Sequence, residues 1–177
     1  MDFKKLQNKH EGEIVHVIGA SKMMDNIQPA FFENRIAVGA NFAYKHFPCE
    51  YTVTRHWKVI KEWINDPPKS KLFHPEWTSD VGGFWLNEIG TYFDKRGERK
   101  ELFRSRGIMG TAIDFARYIG AKEIVLWGVE CSNEYMRGYA GMNDNDAMVE
   151  FNETNRNNIE FIIDYIKLKY GVKTTWM

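Results

Sequence analysis

Five short segments carry residue types suited to holding a charged small molecule: Gly19-Ala20-Ser21, Gly39-Ala40-Asn41, Arg55-His56, Gly107 to Thr111, and Glu130 to Asn133. Glycines beside Ser, Asn and Thr favour a nucleotide held by backbone amides and neutral side chains. A glycine directly after a buried strand lets the backbone turn tightly and approach a ligand. Ser21 either caps the short helix that follows or donates to a phosphate, and Asp25 is a second candidate cap. The Asn41 amide either reads a base or sugar hydroxyl or caps the next helical turn. His56 is the histidine with an argument for the same neighbourhood. His16 lies inside an apolar run, where a hydrogen-bonded core histidine is the expectation. Glu130, Asp144 and Asp146 offer the hard oxygens that Mg²⁺ prefers, although their spacing matches no specific metal loop and Asp146 suits a helix cap better.

These segments acquire meaning through the elements that end at them. Ile14–Ile18, Arg35–Gly39, Tyr51–Thr54, Glu123–Val129 and Val172–Trp176 read as strands, and Lys71–His74 as a further one. The run Glu123–Val129 is apolar and β-branched, as in a parallel sheet covered on both faces. Between the strands, apolar residues recur at helical spacing: Val59, Ile60, Trp63 and Ile64; then Ala112, Ile113, Ala116 and Ile119; then Ile159, Ile162, Ile163 and Ile166. Gly120 and Gly171 are natural stops for the second and third of these helices. Alternating strands and helices predict an α/β fold: one Rossmann-like domain spanning residues 1–177, with a mainly parallel twisted sheet and helices on both faces. If the strands are parallel, the five segments converge on one rim of the sheet, where open α/β domains bind ligands. Residues 75–104 fit this pattern poorly. Their aromatics, among them Trp77, Phe84, Trp85, Tyr92 and Phe93, predict an insertion packed over the rim, as a lid or a homo-oligomer contact. Residues 1–12 read as a polar lead-in, and Val172–Trp176 as an edge strand.

Composition narrows the function classes. With 24 basic and 24 acidic residues there is no general pull toward nucleic acid or an anionic membrane. No run approaches the roughly 18 apolar residues of a membrane span, and no signal segment opens the chain. Two cysteines, Cys49 and Cys131, form no disulfide framework or zinc pair, so a cytoplasmic setting is expected. Walker A, G-x-G-x-x-G, H-E-x-x-H and G-x-S-x-G patterns are absent.

Gly110-Thr111-Ala112-Ile113-Asp114-Phe115-Ala116, Gly120-Ala121-Lys122-Glu123-Ile124 and Gly128-Val129-Glu130-Cys131-Ser132 together resemble a block found in a superfamily of nucleotide-using transferases. That superfamily includes bacterial lipopolysaccharide sialyltransferases, motility-accessory-factor glycosyltransferases and archaeal 6-hydroxymethylpterin pyrophosphokinases. Gly19-Ala20-Ser21 resembles its nucleotide loop, and Gly39-Ala40-Asn41 resembles an element whose asparagine contacts the nucleotide. The resemblance implies that Gly19, Ser21, Asn41, Gly110 and Thr111 hold a nucleotide, and that Glu130 faces metal or acceptor. The sialyltransferases use a histidine base after the main block. Residues 131–177 contain no histidine here, so that role falls to His56 or Asp144. The implied activity is transfer of a sugar from a nucleotide-activated donor to a glycan or small acceptor. The alternatives are a Mg²⁺-dependent pyrophosphokinase-like enzyme and a nucleotide-binding protein without catalysis.

Overall fold

The computed structural model describes residues 3–54, 56–65, 70–75, 84–86, 107–129 and 147–177. Seven strands form one sheet: β1 (Ile14–Ile18), β2 (Ile36–Ala40), β3 (Tyr51–Val53), β4 (Lys71–Pro75), β5 (Phe84–Leu86), β6 (Glu123–Trp127) and β7 (Lys173–Trp176). Their order is β5-β4-β3-β2-β1-β6-β7, and every pairing is parallel. The α-helices are α1 (Trp57–Asn65), α2 (Ile108–Tyr118) and α3 (Ala147–Tyr170). From β1 the chain winds outward to β5. It then returns through α2 to β6 on the other side of β1. The reversal puts a topological switch point between β1 and β6.

Alternation along the central strands builds two apolar layers. Val15 and Val17 of β1, with Ile124 and Leu126 of β6, join the core under α2 and α3. His16 and Ile18, with Val125 and Trp127, face the opposite layer. Helices do cover both faces, but unequally. α2 and α3 pack on one face, and the other is filled by short 3-10 turns (Lys22–Asn26, Pro29–Phe32, Asn41–Lys45) and by Ile60 of α1 against Leu72. Phe31, Phe32 and Trp127 pack there around His16, with ring centroids 5.0–6.2 Å apart. Trp127 Nε1 donates to His16 Nδ1 at 3.0 Å, so His16 is a hydrogen-bonded core histidine. Burial, with some help from Arg35, holds its pKa down at about 4.

α2 is buried around most of its circumference, as a crossover helix in a covered position should be. Asp114 is fully buried and bound by Arg117 Nε at 2.5 Å, and the Arg117 guanidinium lies 4.5 Å from the Tyr170 ring centroid, which ties α2 to α3. The helix ends in a Schellman motif. Ala121 N–H donates to Ala116 O and Gly120 N–H to Arg117 O, with Gly120 at φ +103.

Two expectations change. Residues 3–12 are no mere lead-in: Leu6 is in the core, and Asn8, His10 and Gly12 donate their amides to Tyr118, Ile119 and Gly120 carbonyls at the amino edge of the sheet. Lys9 Nζ then bonds Glu50 and the Tyr51 hydroxyl, both at 2.9 Å, at the edge opposite the rim. The insertion at 75–104 lies mostly outside the described residues, but β5, within it, pairs in parallel with β4 and so extends the main sheet. Among the described residues no helix is long and apolar enough to cross a membrane.

Candidate functional site

Parallel pairing brings the carboxyl ends of the strands to one rim, as expected if the strands are parallel. β1 exits through Gly19 to Ser21, β2 into Asn41, β3 into Thr54 and His56, and β6 into Gly128. The C-terminal end of α2 meets the amino edge of the sheet through the Asn8, His10 and Gly12 amides. Its first turn, Ile108 to Thr111, therefore points at the rim.

The β1 and β6 exits are stitched together. Gly19 N–H donates to Trp127 O at 2.7 Å and Ser21 N–H to Gly128 O at 3.2 Å. A Cβ on Gly19 would stand 2.2 Å from Gly128 O. A side chain at position 19 would therefore collide with the Gly128 backbone, which by itself requires glycine there. Gly128 carries its own constraint, with φ +63 and Met24 Cγ 2.5 Å from where its Cβ would be. With the Gly19 and Ser21 amides used inside the fold, the Ser21 hydroxyl is the side-chain donor this loop can offer a ligand. Ser21 occupies the N-cap position of the 3-10 turn but forms no side-chain cap bond, and its buried Oγ has no hydrogen-bond partner among the described residues. Asp25 lies inside that turn, so it is not the cap.

Asn41 is buried and left-handed, at φ +51. That conformation is unusual for a residue with a side chain, and asparagine tolerates it better than most. It opens the 3-10 turn after β2; the N-cap position belongs to Ala40. Thr54 Oγ1 donates to Asn41 Oδ1 at 2.9 Å and accepts from the His56 backbone N–H at 3.2 Å. Asn41 Oδ1 is thereby committed, and the side chain acts as a donor through Nδ2. The fully buried Thr54 is thus the residue that sets both Asn41 and the start of the His56 segment. In the sequence Thr54 reads only as a strand residue; its signal is a polar residue closing an apolar strand immediately before Arg55-His56. Gly128 was equally legible, because it follows β6 as Gly19 follows β1.

α2 begins at Gly107, which is extended (φ −110, ψ 152) and has no side chain to cap the helix. The first-turn amides of an α-helix lack intrahelical acceptors and carry the positive end of the dipole. Gly110 and Thr111 are both buried in this turn, and Thr111 Oγ1 has no hydrogen-bond partner among the described residues. A buried hydroxyl left unpaired costs about 1–3 kcal/mol. Ser21 and Thr111 each present one.

His56 is exposed and stands at the β3 exit. β3 is separated from β1 by β2, so His56 lies about 10 Å along the rim from Gly19 at the usual strand spacing. Glu130, Asp144 and Asp146, the carboxylates expected to meet Mg²⁺ or acceptor, lie outside the described residues, as does Arg55. Among the described residues no three His, Cys, Asp or Glu side chains group closely enough to hold a metal.

A doubly wound parallel sheet with its loops gathered at the switch point defines the class: a Rossmann-like α/β domain. Comparison with protein-family models, curated proteins and solved structures finds no match for this chain.

Proposed function

We propose that the chain is a nucleotide-sugar-dependent glycosyltransferase of the sialyltransferase-like kind, with its donor seated on the rim at the β1/β6 switch point. One observation carries this reading. The N-terminus of α2, whose N-cap residue Gly107 has no side chain, faces the rim on which β1, β2 and β3 end, and two buried hydroxyls, on Ser21 and Thr111, lack partners among the described residues. A phosphate group suits this arrangement, because it accepts from helix amides and hydroxyls together.

In this reading the donor phosphate meets the first turn of α2 with Thr111 and Ser21. Asn41 Nδ2 donates to the base or ribose. An acceptor hydroxyl oxygen attacks the anomeric carbon, the bond from that carbon to the phosphate oxygen breaks, and the nucleotide leaves with the electron pair. The α2 dipole stabilises the charge that builds on the leaving phosphate. His56, at the acceptor side of the rim, takes the hydroxyl proton, with Asp144 as the other candidate base. Glu130 would face the acceptor or a Mg²⁺ ion, as the family resemblance implies.

A thermal-shift panel of CMP, CDP, UDP, GDP and ATP, with and without Mg²⁺, tests the reading. A ligand at 100 times its Kd stabilises by about 2.7 kcal/mol. For a chain of this size that raises Tm by about 5–10 °C. Stabilisation by a nucleotide, lost in Thr111→Val, supports the site. No response to any nucleotide overturns it. Stabilisation by ATP and Mg²⁺ alone, with AMP release, replaces sugar transfer by pyrophosphoryl transfer.

A further inference from the structure

A cleft lies at the end of the sheet away from the rim. Its volume is about 330 Å³, at the small end of the range for ligand pockets. Its charged and polar residues come from the chain just before β2, β3 and β4: Glu33 and Arg35, then Glu50, then Ser70. These three strands run parallel, so the cleft sits at their amino ends, whereas Asn41 and Thr54 stand at the carboxyl ends of β2 and β3. The apolar wall is made by Phe32, Tyr44, Phe47 and Pro48, with the Phe32 and Phe47 rings edge to face at 5.5 Å.

The charges on this cleft are opposite and unmatched. Arg35 Nε donates to Phe31 O at 2.7 Å, and its guanidinium lies over the Phe31 ring, 4.1 Å from the centroid. The group is thereby held in place, although the residue is exposed. Among the described residues no carboxylate pairs with it. A fixed guanidinium is a planar fork that matches a carboxylate. Of the two carboxylates on the cleft, Glu50 is already matched, since its Oε1 accepts from Lys9 at 2.9 Å and from Lys71 at 3.4 Å. Glu33 has no cation among the described residues, and Arg35, two residues on, does not pair with it.

We propose that this cleft binds a free α-amino acid with an apolar side chain. Such a ligand carries its ammonium and its carboxylate on one carbon, so it meets Glu33 and Arg35 together. The Arg35 guanidinium donates to its carboxylate, its ammonium donates to the Glu33 carboxylate, and its side chain lies against Phe32, Phe47 and Pro48. Charge complementarity selects this class over its neighbours. A simple carboxylate gains Arg35 but meets repulsion from Glu33, and a simple amine gains Glu33 but meets repulsion from Arg35. The cleft and the rim lie at opposite ends of the strands, so the proposal does not depend on the nucleotide reading.

Isothermal titration of the full chain with L-phenylalanine, L-leucine and L-tryptophan tests this. At least one should bind with a Kd on the order of 0.1–1 mM, as a small ligand with two charge-assisted contacts allows. Hydrocinnamate, which lacks the ammonium of phenylalanine, and phenethylamine, which lacks its carboxylate, should each bind about tenfold more weakly than phenylalanine or worse. Glu33→Gln and Arg35→Gln should each weaken the amino acid by about tenfold or more. Glu33 is exposed and makes no described ion pair, so Glu33→Gln should leave Tm unchanged. Absence of binding by all three amino acids overturns the proposal. So does equal affinity for hydrocinnamate or phenethylamine, because the cleft would then read the apolar body alone. Amino-acid binding that neither substitution weakens overturns it as well.

Discussion

Gly19→Ala tests whether the switch point is closed by backbone contact. The added methyl would stand 2.2 Å from Gly128 O and 2.9 Å from its carbonyl carbon. Carbon–oxygen contacts settle at about 3.3 Å or more, so the two exits must separate by about 1 Å. Overpacking of this kind costs about 1–3 kcal/mol. The separation also strains the 2.7 Å bond from Gly19 to Trp127 and the 3.2 Å bond from Ser21 to Gly128, each worth about 1 kcal/mol. The sum, about 3–5 kcal/mol, is a large part of the stability of a domain this size. It should lower Tm by about 10 °C and the urea midpoint in proportion, with the m-value unchanged. Gly12→Ala is the control. Gly12, unlike Gly19, is left-handed, at φ +80, and nothing lies within 4 Å of its Cβ position. It should lose only the conformational cost, about 1–2 kcal/mol. If Gly19→Ala proves no more costly than Gly12→Ala, β1 and β6 are not held at their exits as described.

Two further outcomes follow from buried hydrogen bonds. Thr54→Val keeps the shape but strands Asn41 Oδ1 and the His56 amide, so it should cost about 1–3 kcal/mol in chemical denaturation and weaken whatever nucleotide stabilises the parent chain; an unchanged midpoint would remove Thr54 from its positioning role. His16 is held neutral by burial, with its pKa at about 4 against 6.5 unfolded. Between these values the unfolded chain binds the extra proton, so this contribution to stability is full above pH 6.5 and lost as pH falls toward 4. His10, also lowered chiefly by burial, acts in the same direction. His16→Gln keeps an acceptor for Trp127 Nε1 and removes the titration; a plot of Tm against pH should flatten across that window, and an unchanged acid limb would show that His16 does not titrate there.

Much of the fold was legible because the central strands are short, apolar and largely buried, and because the helices between the strands keep a stripe of apolar residues. Ile14–Ile18 and Glu123–Val129 announced themselves as strands by β-branched runs, the second ending at Trp127 in the fold, and Gly120 announced the end of α2. The rim followed from one further assumption, parallel pairing, since a parallel sheet sends every strand exit to the same edge. The sequence by itself thus determined the α/β class and the set of loops Gly19–Ser21, Gly39–Asn41, Arg55–His56 and Gly107–Thr111. It could not determine what each residue in those loops faces, because their partners are far away along the chain. Gly19 is bounded by Gly128, more than a hundred residues on, and Asn41 takes its left-handed shape with Thr54 from the neighbouring strand. His16 is paired with Trp127 across two strands. Periodicity reports which face a residue lies on; tertiary packing decides its neighbour. That is why the opening α2 turn and the Gly19 loop, similar as glycine-containing segments, part company in the fold. The glycine of one lets two strand ends meet, while the other leaves a helix N-terminus facing the rim.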